Sequence, residues 1–183
     1  MDFDIRSYRE ALGTFPTGVA VVTAPAPAAD AANLKVSGSH VGITVNSFTS
    51  VSLDPPLVLW CMDRRSGRHG LFAGAEAFTV NILGTEHKAV SARLARPGEH
   101  ALDGIDLLPT ELGPPALADS LAVFECLRQQ TLEAGDHTIL IGRVVRFSRP
   151  GKSAPLVFYS GKYRALAARP PEGLSGRRAT DET

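Results

Sequence analysis

Thr44, Asn46, Ser47, Thr49, Ser50 and Ser52 crowd into one short stretch between the apolar runs ending at Val45 and beginning at Leu57. Hydroxyl and amide side chains offer neutral donors and acceptors at short reach. With backbone amides they can satisfy a ligand rich in carbonyls, ring nitrogens and phosphate oxygens. The same stretch reads equally well as a hydroxyl-rich β-turn closed by Asp54-Pro55-Pro56, with Ser and Thr bonding to their own backbone.

Two further clusters carry chemical potential. Asp63-Arg64-Arg65-Ser66 stands where a short helix is expected to begin, so guanidinium groups and free amides there can hold a phosphate; the alternative is a Ser66 helix cap beside solvated arginines. Glu133-Ala134-Gly135-Asp136-His137-Thr138 puts a turn glycine, an acid and an imidazole at the mouth of a strand, which also suits an ordinary hairpin. His40, His69, His87 and His100 lack metal-ligand spacing, and no bound metal is expected. Cys61 and Cys126 are too few for a disulfide framework or a cysteine zinc site and read as buried thiols.

The elements that must position these residues follow from periodicity. Ile5, Tyr8, Leu12 and Phe15 mark one face of a helix over residues 4–15, which Pro16 ends. Strands are expected over residues 18–24, 39–45, 57–62, 78–83, 121–132, 138–147 and 156–159, and helices over 65–73 and 86–94. Residues 25–33, almost all Ala and Pro, read as a surface loop, and residues 95–120, rich in Gly and Pro, as a long irregular excursion. Residues 1–168 form one domain, and 169–183 a mobile tail with little to bury. No repeat, GxGxxG or GxxxxGK[ST] fingerprint is present. Six or seven strands with helical inserts predict a mainly β chain, an antiparallel barrel rather than a doubly wound sheet.

Of 183 residues, 44% are hydrophobic, enough for one real core. A formal charge of zero supplies no basic field for nucleic acid or an anionic membrane. The first residues lack a signal peptide's basic and apolar regions, and no stretch is long enough to span a bilayer, so a cytoplasmic protein is expected.

Phe15-Pro16-Thr17-Gly18-Val19, the 44–57 segment, Ser66 after its arginines, Asn81, Gly135-Asp136-His137 and Pro155-Leu156-Val157 occur in an order that resembles the short-chain flavin reductases. The resemblance runs from about Tyr8 to Tyr163. These are reductase components of two-component flavin-dependent monooxygenases, with a Greek-key, FMN-binding split β-barrel. The residues 25–33 insertion is longer than the family's compact hairpin.

The resemblance implies that Thr44, Val45, Asn46 and Ser47 line the isoalloxazine edge, supported by Ser50 and Ser52. Cys61, Arg65 and Ser66 would surround the ribityl phosphate. Gly135, Asp136 and His137 would border the nicotinamide, His137 orienting it, with Tyr163 at the pocket's edge. It further implies FMN or FAD that exchanges with solvent, NADH or NADPH as hydride donor, a homodimer, and a monooxygenase partner receiving the reduced flavin. NADH is favoured because no dedicated basic pair for a 2′-phosphate adjoins the Gly-Asp-His turn, although Arg143, Arg146 or Lys162 could fold close. The rival readings are a split-barrel FMN oxidase and a non-catalytic FMN-binding electron carrier.

Overall fold

Most of the apolar runs become strands in the computed structural model, which describes residues 4–26 and 39–166. Most of the expected 25–33 loop and the 169–183 tail lie outside the described residues.

The chain opens with α1 (Ile5–Gly13), where Asp4 caps the start by accepting from the amides of Arg6 and Ser7. Its apolar face is not in the core: Ile5, Tyr8, Leu12 and Phe15 are 48–74% exposed. The expected strand 18–24 splits at Val19 into β1 (Thr17–Gly18) and β2 (Ala20–Pro25), which enter different sheets. Then follow β3 (His40–Val45), β4 (Thr49–Leu53), β5 (Pro56–Asp63), α2 (His69–Gly74) and β6 (Ala77–Ile82). A 3-10 turn at Thr85–His87 leads into α3 (Lys88–Leu94), and the excursion carries two short strands, β7 (Leu107–Leu108) and β8 (Ala116–Leu117). The long hairpin β9 (Ala122–Ala134) and β10 (His137–Ser148) precedes β11 (Leu156–Tyr159) and β12 (Lys162–Ala165).

Two readings of the sequence are corrected. The hydroxyl-rich segment is not wholly a turn, because Thr49–Leu53 pairs along β5 as an edge strand. The helix expected over 65–73 begins only at His69. Before it the chain makes tight turns, in which Ser66 N–H donates to the Asp63 carbonyl and His69 N–H to the Ser66 carbonyl. Ser66 therefore caps no helix.

Seven strands form an antiparallel sheet in the order β3-β2-β6-β9-β10-β5-β4, beside a three-stranded sheet β1-β11-β12 and the pair β7-β8. On β5, alternate residues Val58, Trp60 and Met62 point inward, and the Trp60 ring meets Phe72 and Phe78 edge-on at 5.5 and 5.8 Å. β2 is buried on both faces. Val22 joins the Trp60 cluster, while Val21 packs with Leu83, Leu94, Leu117 and Leu156. Burying each such side chain stabilises the fold by about 1.5–3 kcal/mol.

The excursion is held by polar residues inside the sheet. Asn81 Nδ2 donates to the Val21 carbonyl at 3.1 Å, and Asn81 Oδ1 accepts from Leu117 N–H at 2.8 Å. Thr23 and Thr79 donate to the carbonyls of Pro115 and Pro114, and the Glu125 carboxylate accepts from the amides of Glu111 and Leu112. These side-chain bonds to backbone anchor the segment to the sheet, so it needs no periodicity of its own.

Candidate functional site

The end of β3 forms one wall of a cavity of about 140 Å³, lined by Val19, Thr44, Val45, Asn46, Phe158 and Tyr163, with Ala95 at its margin. Thr44 Oγ1 donates to the Ser91 carbonyl at 2.9 Å, so its hydroxyl is spent on α3 and its methyl group builds the wall. Tyr163 arrives from β12; its hydroxyl lies 2.8 Å from Ser91 Oγ and its ring meets Phe158 edge-on. Ser91 thus fastens both sides of the cavity. Asn46 is exposed at its rim.

Ala95 also lines a second, larger cavity of about 500 Å³, whose walls include Ile43, Asp63, Arg65, Ser66, Arg68 and His100. Arg65 grips Asp63 with two prongs, Nε to Oδ1 at 3.2 Å and Nη2 to Oδ2 at 3.1 Å, while its amide donates to the same carboxylate at 2.8 Å. Those bonds hold the Asp63 carboxyl down at about 2. Arg68, invisible to motif reading, is buried, and its guanidinium donates to four backbone carbonyls. Burial lowers its pKa to about 10. His100, equally unforeseen, is buried beside it and is pulled below the usual imidazole range by burial and then by the Arg68 charge.

The hairpin between β9 and β10 brings Gly135, Asp136 and His137 to the same corner. Gly135 takes φ +62°, a left-handed conformation that favours glycine. His137 pairs with Asp63 in the β5–β10 register, and Arg64 N–H donates to the Asp136 carbonyl at 3.0 Å. His137 Nδ1 lies 2.7 Å from Asp136 Oδ1, a contact that lowers the Asp136 pKa.

The remaining expected residues stand behind these walls. Ser47 Oγ accepts from Cys61 N–H at 2.9 Å and donates to the Cys61 carbonyl at 3.2 Å. The half-buried Cys61 thiol is pushed up by burial. Ser50 and Ser52 face Val58 and Leu57 across a bulge on the edge strand β4. Ser50, Ser52, Ser47 and Cys61 are not among the described residues lining either cavity.

A slot with largely apolar walls and an amide at its rim, sharing Ala95 with a roomier cavity lined by cationic groups, suits a planar heteroaromatic ring with an anionic tail. Arg68 Nε and His100 Nδ1, on residues that line the larger cavity, are themselves buried and have no hydrogen-bond partner.

Comparison with known proteins gives the same direction. Residues 12–167 match the sequence profile of the flavin reductase like domain. An FMN reductase (NADH) of Agrobacterium fabrum is 44% identical over 159 residues, covering 86% of this chain and 84% of that protein. A flavin-dependent monooxygenase reductase subunit of Rhodococcus jostii is 34% identical over 163 residues, 89% of this chain and 78% of that one. A Streptomyces globisporus NADH:FAD oxidoreductase, solved in complex with NAD and FAD fragments, superposes with a TM-score of 0.78 at 32% identity, covering 92% of this chain and 94% of that one.

Proposed function

Because the chain belongs to the flavin reductase-like family, with its mainly β split-barrel fold, we propose that it is an NADH-dependent flavin reductase that supplies reduced FMN or FAD to a partner monooxygenase. The observation that carries this reading is the corner where the Asp63–Arg68 turns and the end of β3 line two cavities that share Ala95, with the Gly135–His137 turn paired to Asp63 and Arg64 beside them.

Bound flavin supplies the redox chemistry by accepting hydride from the nicotinamide, so the protein's task is placement. Thr44, Val45 and Tyr163 shape the slot for the ring, and Asn46 at the rim is the donor facing its polar edge. Ser47, whose hydroxyl is committed to Cys61, holds that segment in place, and Ser50 and Ser52 support it from β4. Arg65 and Ser66 stand on the wall of the cavity for the phosphate, with Cys61 behind them in β5. Gly135, Asp136 and His137 form the nicotinamide edge, the Asp136 carboxylate fixing the His137 ring. NADH is preferred over NADPH.

A second copy of the chain supports and completes this arrangement. Ile5 and Leu12 of α1 and Phe15 after it are exposed, and Leu53 and Phe147 are 94% and 69% exposed. Apolar surface of this kind and the free edge of β4 favour a symmetric homodimer. The two free thiols suit a reducing cytoplasm, and among the described residues no helix is long and apolar enough to cross a membrane.

The deciding experiment is anaerobic mixing of the protein and excess FMN with NADH, and separately with NADPH, following oxidised-flavin absorbance. Multiple-turnover bleaching, faster with NADH, is expected. Flavin binding without bleaching would replace this reading with an electron carrier or an oxidase.

A further inference from the structure

The two walls of the smaller cavity, the slot, belong to different sheets. Thr44 and Val45 end β3 in the seven-stranded sheet, whereas Phe158 and Tyr163 come from β11 and β12 of the three-stranded one. Ser91 on α3 is bonded to both. Its carbonyl accepts from Thr44 Oγ1 at 2.9 Å, and its Oγ lies 2.8 Å from the Tyr163 hydroxyl. Ser91 is fully buried, so it reaches the slot only through those two neighbours.

The Tyr163 ring depends on that bond for its direction. β12 is the edge strand of its sheet, paired with β11 alone among the described strands, and Lys162 and Arg164 on either side of Tyr163 are exposed. Tyr163 borders the slot and also a further cavity of about 220 Å³, lined with it by Thr85, Lys88, Leu156 and Arg164. Its apolar contacts are an edge-on meeting with Phe158, 5.6 Å between ring centres, and the cluster around Leu83 and Leu94. Apolar contacts are non-directional, whereas a hydrogen bond fixes distance and angle. The bond to Ser91 therefore decides where, between two open spaces, the ring stands.

We infer that Ser91 is a positioning residue for flavin reduction: it latches Tyr163 to α3 and, with Thr44, fixes the width of the slot in which the flavin ring lies. This rests on the flavin reductase reading and deepens it. Releasing the latch lets the Tyr163 ring turn toward the further cavity and widens the slot. The flavin is then held more loosely and meets the nicotinamide less often in the reactive alignment.

The test is a double-mutant cycle on Ser91→Ala and Tyr163→Phe, which remove the same bond from its two ends. Lumiflavin, which carries the flavin ring without the ribityl phosphate, is the probe, followed by difference absorbance without NADH. Each single variant is expected to weaken lumiflavin binding about three- to tenfold and to alter the visible spectrum of the bound ring, and the double variant to do no more than either. kcat with saturating FMN and NADH should fall in the same variants. Gly142→Ala, whose crowding by Phe78 and Cys126 lies outside the slot, should lose stability yet bind lumiflavin as wild type does. If Ser91→Ala does not fold, Ser91→Cys, similar in size and a far weaker hydrogen-bonding group, closes the cycle. Single effects that multiply in the double variant, or a folded Tyr163→Phe with wild-type lumiflavin affinity and spectrum, would overturn the latch. Continued NADH-driven bleaching of FMN by wild type in either case would leave the reductase reading standing; no flavin binding by wild type would remove both.

Discussion

Ser47 Oγ serves both backbone groups of Cys61, accepting from its N–H at 2.9 Å and donating to its carbonyl at 3.2 Å. A single hydroxyl thus continues the ladder of β5 past the last β4 pair, Thr49 with Leu59. Ser47→Ala leaves both groups unpaired and should destabilise the fold by about 1–3 kcal/mol. Urea unfolding should show a lower midpoint at unchanged slope, and an unmoved midpoint would mean that water replaces the hydroxyl.

Gly142 sits where a Cβ would lie 2.5 Å from Phe78 Cζ and 2.9 Å from Cys126 Cβ. Gly142→Ala should therefore cost about 1–3 kcal/mol through overpacking and lower Tm. Gly70, with nothing within 4 Å of an added Cβ, is the control: Gly70→Ala in α2 should be neutral or slightly stabilising.

Asp63 links the site to pH. Its carboxyl falls from an ordinary 3.8 to about 2 through hydrogen bonds from Arg65. A depressed carboxylate pKa contributes stability that is fully present above about 3.8 and lost as pH falls toward 2. Asp63→Asn should therefore be less stable than wild type at neutral pH, and the gap should close below about pH 2. A gap of constant size in acid titrations followed by circular dichroism would contradict this assignment.

The two thiols should differ sharply. Cys126 is fully buried and pushed up to about 12, while Cys61 is half-buried with a more modest rise. Since the thiolate is the reactive form, a disulfide reagent at pH 8 should modify at most Cys61 in the native protein, slowly, and both thiols after denaturation. Cys61→Ser should abolish the native reaction.

If His137 orients the nicotinamide as proposed, His137→Ala should raise the KM for NADH by about five- to tenfold while leaving the FMN dissociation constant within about twofold. Unchanged NADH kinetics would remove His137 from the site.

Much of this architecture is written in local patterns. The apolar runs at 57–62, 78–83 and 156–159 became strands within a residue or two, because each is a short buried segment bounded by turn residues. β4 escaped notice because Thr49–Leu53 is a short, largely exposed edge strand whose alternation of Val51 and Leu53 with Ser50 and Ser52 buries no face. The break at Val19 was hidden because Gly18 to Ala24 carries no internal turn signal; only long-range pairing sends Gly18 to Val157 and Ala20 to Val45 and Ile82. Of the candidate site, Thr44, Val45, Asn46, Arg65, Ser66 and Tyr163 line the two cavities as the sequence suggested, whereas Ser47, Ser50, Ser52, Cys61 and Gly135–His137 line neither. Arg68 could not be foreseen, because its partners are backbone carbonyls at positions 42, 94, 96 and 99, which leave no mark in side-chain composition.

The bond from Arg64 N–H to the Asp136 carbonyl, beside the Asp63–His137 pair, makes one hinge-free bracket of two turns far apart in the chain. Its dimensions are set by main-chain atoms that every amino acid carries. Selection can therefore exchange the side chains at Arg65, Ser66 or His137, retuning the chemistry each turn presents, without altering the spacing between the two turns. Preference can drift while alignment is inherited.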